Sequence, residues 1–235
     1  MTTKQMQVPE GRPNHTGKTM KNITHITIHE TGNKNAGATA EAHARYQYNG
    51  GGGRAASWHY TADEKEIWQS FPDNATCWHT GTAKGNETSI GIEICANSKE
   101  GFRKACENAA ALCAELMKRH RIPISNVTQH HHWSRKNCPE NLRSGAWGTS
   151  WQDFLRMIGR NAEAEKTGIA ALDAMAAAGA QFDPRHWADT LQGKRPAKPE
   201  HFQELAARAI STDWPLNGPY NPEKMLAILN AITGK

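Results

Sequence analysis

The chain has 235 residues, a formal charge of +5, a pI near 9.0 and 37% hydrophobic residues, enough for one well-buried domain and a small second one. The mild basic bias suits an anionic polymer such as nucleic acid or bacterial wall, but no block of Lys and Arg marks a nucleic-acid arm, and none is expected as a partner. Nowhere do about 18 uncharged apolar residues run together, and Met1 to Gln7 lacks the apolar core of a secretory signal, so the expectation is a protein made in the cytoplasm without a membrane anchor. The five cysteines, Cys77, Cys95, Cys106, Cys113 and Cys138, are an odd number in such a product, which argues against a disulfide framework and leaves at least one thiol needing another role.

In chain order, Ile23 to His29 alternates with the period of a strand, Thr24, Ile26 and Ile28 on one face and His25, Thr27 and His29 on the other. Gly37 to Gln47 has helix-forming content and stops at Asn49 and the glycine run Gly50 to Gly53, which reads as a loop. Ser57 to Thr61 and Lys65 to Ser70 flank Asp63-Glu64 as a hairpin. Ser89 to Cys95 alternates strictly, three isoleucines facing one way and Ser89, Gly91, Glu93 and Cys95 the other. From Glu100 to Arg121 apolar residues recur at helical spacing until Ile122-Pro123 ends the helix. The fold class that follows is α/β, a central sheet with helices packed on it, over residues 1–162. After the polar link at Asn161 to Lys166, residues 163–235 read as a small all-α C-terminal module, near the lower size limit for independent folding.

Two segments about a hundred residues apart carry the chemistry. His29 ends the first strand; Thr128 to Pro139 offers His130, His131 and His132, then Lys136 and Cys138. Two imidazoles and a thiolate are a borderline-soft donor set suited to Zn(II), and three protein ligands leave a fourth position open, as in a catalytic zinc site. A histidine at a strand end is by itself ordinary, and a free cysteine is commonly just a buried apolar thiol.

The combination of Thr27-Ile28-His29-Glu30-Thr31, Ser57-Trp58-His59-Tyr60, Trp78-His79-Thr80-Gly81, Ser89-Ile90-Gly91-Ile92-Glu93-Ile94 and His130 to Cys138 resembles the type 2 N-acetylmuramoyl-L-alanine amidases, relatives of the peptidoglycan recognition proteins and of many phage endolysins. The segments occur in family order over roughly residues 20–160. The resemblance implies a central mixed β-sheet flanked by helices, one zinc per chain and hydrolysis of the amide between the lactyl group of N-acetylmuramic acid and the L-alanine of the stem peptide. It implies bacterial peptidoglycan as partner and an endolysin or autolysin role at the wall after release. The family spacing to a lysine and a cysteine selects His130, with His29 and Cys138, as metal ligands; His132 is the substitute if the register slips, since a strand returns a side chain to the same face after two residues.

Glu93 is assigned acid and base work, because a carboxylate on the inner face of an isoleucine-rich strand is partly desolvated. Lys136 is assigned to oxyanion stabilisation. His59 and His79 are placed as substrate-lining groups, a supporting or core role for either remaining equally open, with Trp58 and Trp78 as apolar walls for sugar or peptide. Two other readings remain: a peptidoglycan-binding relative without catalysis, and a cysteine peptidase using Cys138. Nothing in the sequence sets the oligomeric state.

Overall fold

The computed structural model describes residues 3–162, and Met1–Gly159 forms one compact unit. The helical module expected over 163–235 lies outside the described residues. The sheet has six strands: β1 (Thr3–Gln5), β2 (His25–Glu30), β3 (Tyr60–Ala62), β4 (Ile67–Gln69), β5 (Ser89–Ile94) and β6 (Val127–Gln129). Their order is β1-β4-β3-β5-β2-β6; only β3 and β4 run antiparallel, so the sheet is mixed, as the resemblance implied.

The alternating isoleucines explain where the core sits. Ile26 and Ile28 of β2 and Ile90, Ile92 and Ile94 of β5 are all fully buried. They share one apolar cluster with Phe102, Cys106, Ala109, Cys113 and Leu116 of the long helix α3, and burying each such isoleucine contributes about 1.5–3 kcal/mol relative to exposure. Three helices enter in chain order: α1 (Ala40–Tyr48), α2 (Ala83–Thr88) and α3 (Lys99–His120). Thr39, Thr82 and Ser98 cap their N-termini, each hydroxyl accepting from a backbone N–H of the first turn. Two short helices follow, α4 (His130–Ser134) and α5 (Glu140–Ser144), and a further helix starts at residue 151, bringing Phe154 and Ile158 to the same core.

The expected hairpin is present, with Asp63 as its pivot. One carboxylate oxygen accepts from the backbone N–H groups of Lys65 and Glu66, both at 2.8 Å, and the other accepts from Ala40 N at 2.8 Å, tying the turn to the start of α1. The glycine run expected as a plain loop instead winds into a 3₁₀ turn over Gly51–Gly53, whose Gly51 carbonyl accepts from the Tyr46 hydroxyl.

The opposite face of β2 and β5 is polar. The Thr27 hydroxyl donates to Ser89 Oγ at 2.9 Å, and Trp133 Nε1 donates to Thr27 Oγ1 at 2.9 Å. Between them Gly91 leaves a gap that the His79 ring fills: a Cβ at this glycine would lie 2.8 Å from His79 Nδ1 and 3.0 Å from two further ring atoms. Gly91→Ala is therefore expected to lower stability by about 1–3 kcal/mol, the usual cost of overpacking a closed site, read as a drop in Tm; an unchanged Tm would mean the ring has room to move.

Candidate metal centre and active site

At the C-terminal ends of the parallel strands β2, β5 and β6 the polar face opens into a cleft of about 640 Å³. Its walls include His29, Glu93, His130, Lys136 and Cys138. The parallel register sets His29 opposite Glu93 on the neighbouring strand, while β6 delivers His130 as the first residue of α4.

Among the described residues one group could hold a metal: His29, His130 and Cys138, all buried, with ligand atoms within 4.8 Å of one another. His29 Nδ1 lies 3.0 Å from His130 Nδ1 and 3.9 Å from Cys138 Sγ. Tetrahedral zinc, with bonds of about 2.0–2.1 Å to nitrogen and about 2.3 Å to sulfur, would space such atoms by roughly 3.3 Å and 3.6 Å, so this donor set fits the ion. Burial, then the neighbouring imidazoles, holds His29 well below the ordinary histidine range, and burial with the Lys136 charge brings His130 down to about 4. Both rings are neutral at physiological pH, the form that can donate a lone pair.

His132 does not compete for this place. Because α4 begins at His130, two residues of helix turn a side chain by about 200°, and the alternation argument that made His132 a substitute fails. The exposed His132 ring stacks on His25 at 6.5 Å and meets Trp133 edge-on at 4.8 Å.

Cys138, which precedes Pro139 in a cis peptide, is held by its loop. Its backbone N–H donates to Lys136 O at 2.8 Å and its carbonyl accepts from His131 N at 3.0 Å. Glu30, a position that sequence reasoning left without a role, closes the other side. Its carboxylate accepts from Asn141 N, Asn141 Nδ2 and Leu142 N at 3.1, 2.7 and 2.9 Å, capping α5. Burial, then the Glu93 charge, pushes the Cys138 thiol up to about 12. A free nucleophilic cysteine needs thiolate near neutrality, which this environment opposes.

Glu93 lines the cleft with one carboxylate oxygen, Oε2, buried and without a protein partner. Burial raises its pKa to about 8, the nearby Lys136 ammonium only partly opposing the rise. An unpartnered carboxyl that changes charge near neutrality beside a metal-ligand cluster can carry a proton in catalysis. Lys136 is exposed on the same wall, so its charge reaches the cleft without being consumed by an ion pair among the described salt bridges.

The four residues expected to line substrate divide. His59 is fully buried, with Nε2 2.9 Å from the Ala75 carbonyl and Nδ1 accepting from Gly91 N at 2.9 Å; it is a core residue bridging β5 to a loop, and the substrate-lining expectation is corrected on that ground. His79 is nearly buried and touches the cleft only beside His29, its Nδ1 2.9 Å from His29 Nε2. Trp58 and Trp78 both stand in the cleft wall, and Trp78, at 36%, is among the most exposed large apolar side chains. The far end of the cleft, at Asn33, Asn35, His43, Tyr46 and Arg54, carries no periodic signal in the sequence and was not anticipated.

A family model described as N-acetylmuramoyl-L-alanine amidase matches residues 19–141. The chain is 42% identical over 154 residues to the N-acetylmuramoyl-L-alanine amidase XlyA of Bacillus subtilis strain 168, covering 65% of this chain and 49% of that protein. It is 38% identical over 161 residues to CwlH, an N-acetylmuramoyl-L-alanine amidase of the same organism, covering 67% and 61% respectively. It thus spans about half to three-fifths of the length of these relatives. A solved mutant endolysin from Bacillus subtilis superposes with a TM-score of 0.61 at 42% identity, over 67% of this chain and 98% of that one.

The raised pKa of Glu93 has a measurable consequence for the metal-free protein. A carboxyl whose folded pKa lies near 8, above an ordinary 4.5, binds more protons folded than unfolded between those values, so its contribution to stability falls as pH rises through that window. Glu93→Gln, uncharged throughout, is expected to match the wild type below pH 4.5 and to exceed it in Tm by a margin that grows toward pH 8. A margin that does not grow with pH would contradict the buried, unpartnered carboxyl.

Proposed function

Because the chain belongs to the N-acetylmuramoyl-L-alanine amidase family, we propose that it hydrolyses the amide between the lactyl group of N-acetylmuramic acid and the L-alanine of the peptidoglycan stem peptide, in a zinc-dependent reaction. The observation that carries this reading is the convergence of His29, His130 and Cys138 beside the partnerless Glu93 oxygen in one cleft. His29, His130 and Cys138 would hold the ion. Zinc bound there supplies Lewis acidity, activating water near neutral pH and polarising the scissile carbonyl.

The rest of the chemistry belongs to the chain's own residues. Glu93 takes the proton of the attacking water and returns it to the departing alanine nitrogen, the exchange its near-neutral pKa suits. The Lys136 ammonium faces the charge developing on the carbonyl oxygen. Trp58 and Trp78 supply apolar wall to the sugar or peptide flanking the bond. A role as an endolysin or autolysin is in keeping with a similar solved structure named as an endolysin, and no helix among the described residues is long and apolar enough to cross a membrane.

Digestion of purified peptidoglycan with mass analysis of the products is expected to release intact stem peptides with a free L-alanine amino group and uncut glycan strands. Glu93→Gln should keep its zinc and lose turnover by about a hundredfold or more, and Cys138→Ser should bind well under one zinc per chain. Products with new reducing sugar ends, or cleavage inside the peptide, would contradict the assignment. An active Glu93→Gln enzyme would move the proton transfer elsewhere.

Residues 163–235 are proposed to target the wall. A chain ending near residue 162 should then cleave soluble muropeptides as before but bind and lyse intact walls less well, because effective concentration at the substrate is lost. Equal lysis of intact walls by both forms would remove the targeting role.

A further inference from the structure

We infer that His79 is a positioning residue that sets the tautomer of His29 and so presents the His29 Nδ1 lone pair to the metal position. The inference rests on the metal-site reading above and adds to it a residue the ligand set does not include. It begins at an atom that can only accept. The backbone carbonyl of Ser89 lies 3.2 Å from His79 Nε2, so the His79 proton sits on Nε2 and Nδ1 is left as an acceptor. That Nδ1 is 2.9 Å from His29 Nε2, which must then donate. In a neutral imidazole the other nitrogen is unprotonated, and His29 Nδ1 is the atom facing His130 Nδ1 at 3.0 Å and Cys138 Sγ at 3.9 Å.

The fold fixes the His79 ring from three sides. Its own backbone N–H and that of Thr80 both donate to Asn86 Oδ1, at 3.0 and 2.9 Å, pinning the loop ahead of α2. The ring occupies the gap above Gly91, where any Cβ would collide with it. His59 meets it edge-on at 5.8 Å. A ring with no room to rotate holds its hydrogen bond to His29 in one sense, and partners of this kind typically change metal affinity by roughly 10- to 100-fold when removed.

The test combines zinc affinity with direct observation of the tautomer. In metal-free wild type, long-range ¹H–¹⁵N correlation is expected to show His29 protonated on Nε2. His79→Phe, which keeps a ring in the gap but removes both nitrogens, should weaken zinc binding by roughly 10- to 100-fold and release His29 into a mixture of tautomers. His79→Asn, whose side-chain oxygen can stand where Nδ1 stood, should stay within a few-fold of wild type. His29 protonated on Nδ1 in the wild type overturns the inference whether or not the variants fold. So does a folded His79→Phe that binds zinc as tightly as wild type. If wild type takes up no zinc, the proposed function fails, while the tautomer measurement still decides the role of His79.

Discussion

The parallel register that sets His29 of β2 beside Glu93 of β5 is the constraint on which the rest of the site depends. Both strands alternate, so one register choice sends five isoleucines toward α3 and turns Thr27, His29, Ser89, Gly91 and Glu93 to the other face. A slip of one residue would invert both faces at once. The apolar side therefore specifies the polar side: the isoleucine packing that stabilises the domain also positions His29 and Glu93.

The polar face is costly to keep. Three imidazoles, a thiol and a carboxyl lie close together without offsetting ion pairs among the described residues, and burial makes each prefer its neutral form. Backbone groups, rather than side-chain charges, satisfy much of this face: the Ser89 and Ala75 carbonyls receive His79 and His59. Carbonyl and amide partners orient rings without adding charge, which leaves the net positive charge of a bound ion as the natural complement to the site. Local instability concentrated in this way is what an active site held by a rigid sheet is expected to show.

Long, strongly periodic segments were legible in the sequence. The strands around His29 and Glu93, the hairpin and the helix up to Pro123 all follow from the spacing of apolar residues, and α3 ends within one residue of where the pattern stops. The three-residue strands β1 and β6 were not legible, since three residues display no period and neither is joined to a neighbour by a turn such as the Asp63-Glu64 turn that marks the equally short β3 and β4. The same shortness explains the faulty argument for His132: β6 stops at Gln129 and a helix takes over, so strand geometry ended one residue before it was applied. His59 and His79 shared a motif style with His29 and His130, and all four are buried; their hydrogen-bond partners separate them, His59 between Ala75 O and Gly91 N and His79 between Ser89 O and His29, and such tertiary contacts are encoded in no local pattern.

The central claim is that two imidazoles and one thiolate from this cleft hold a single zinc with one position left for solvent or substrate. X-ray absorption at the zinc edge of the loaded protein measures that shell directly. The account predicts two nitrogen scatterers at about 2.0–2.1 Å, one sulfur at about 2.3 Å and one additional light atom. A shell without sulfur, or one with two or more sulfurs, would place the metal somewhere other than His29, His130 and Cys138.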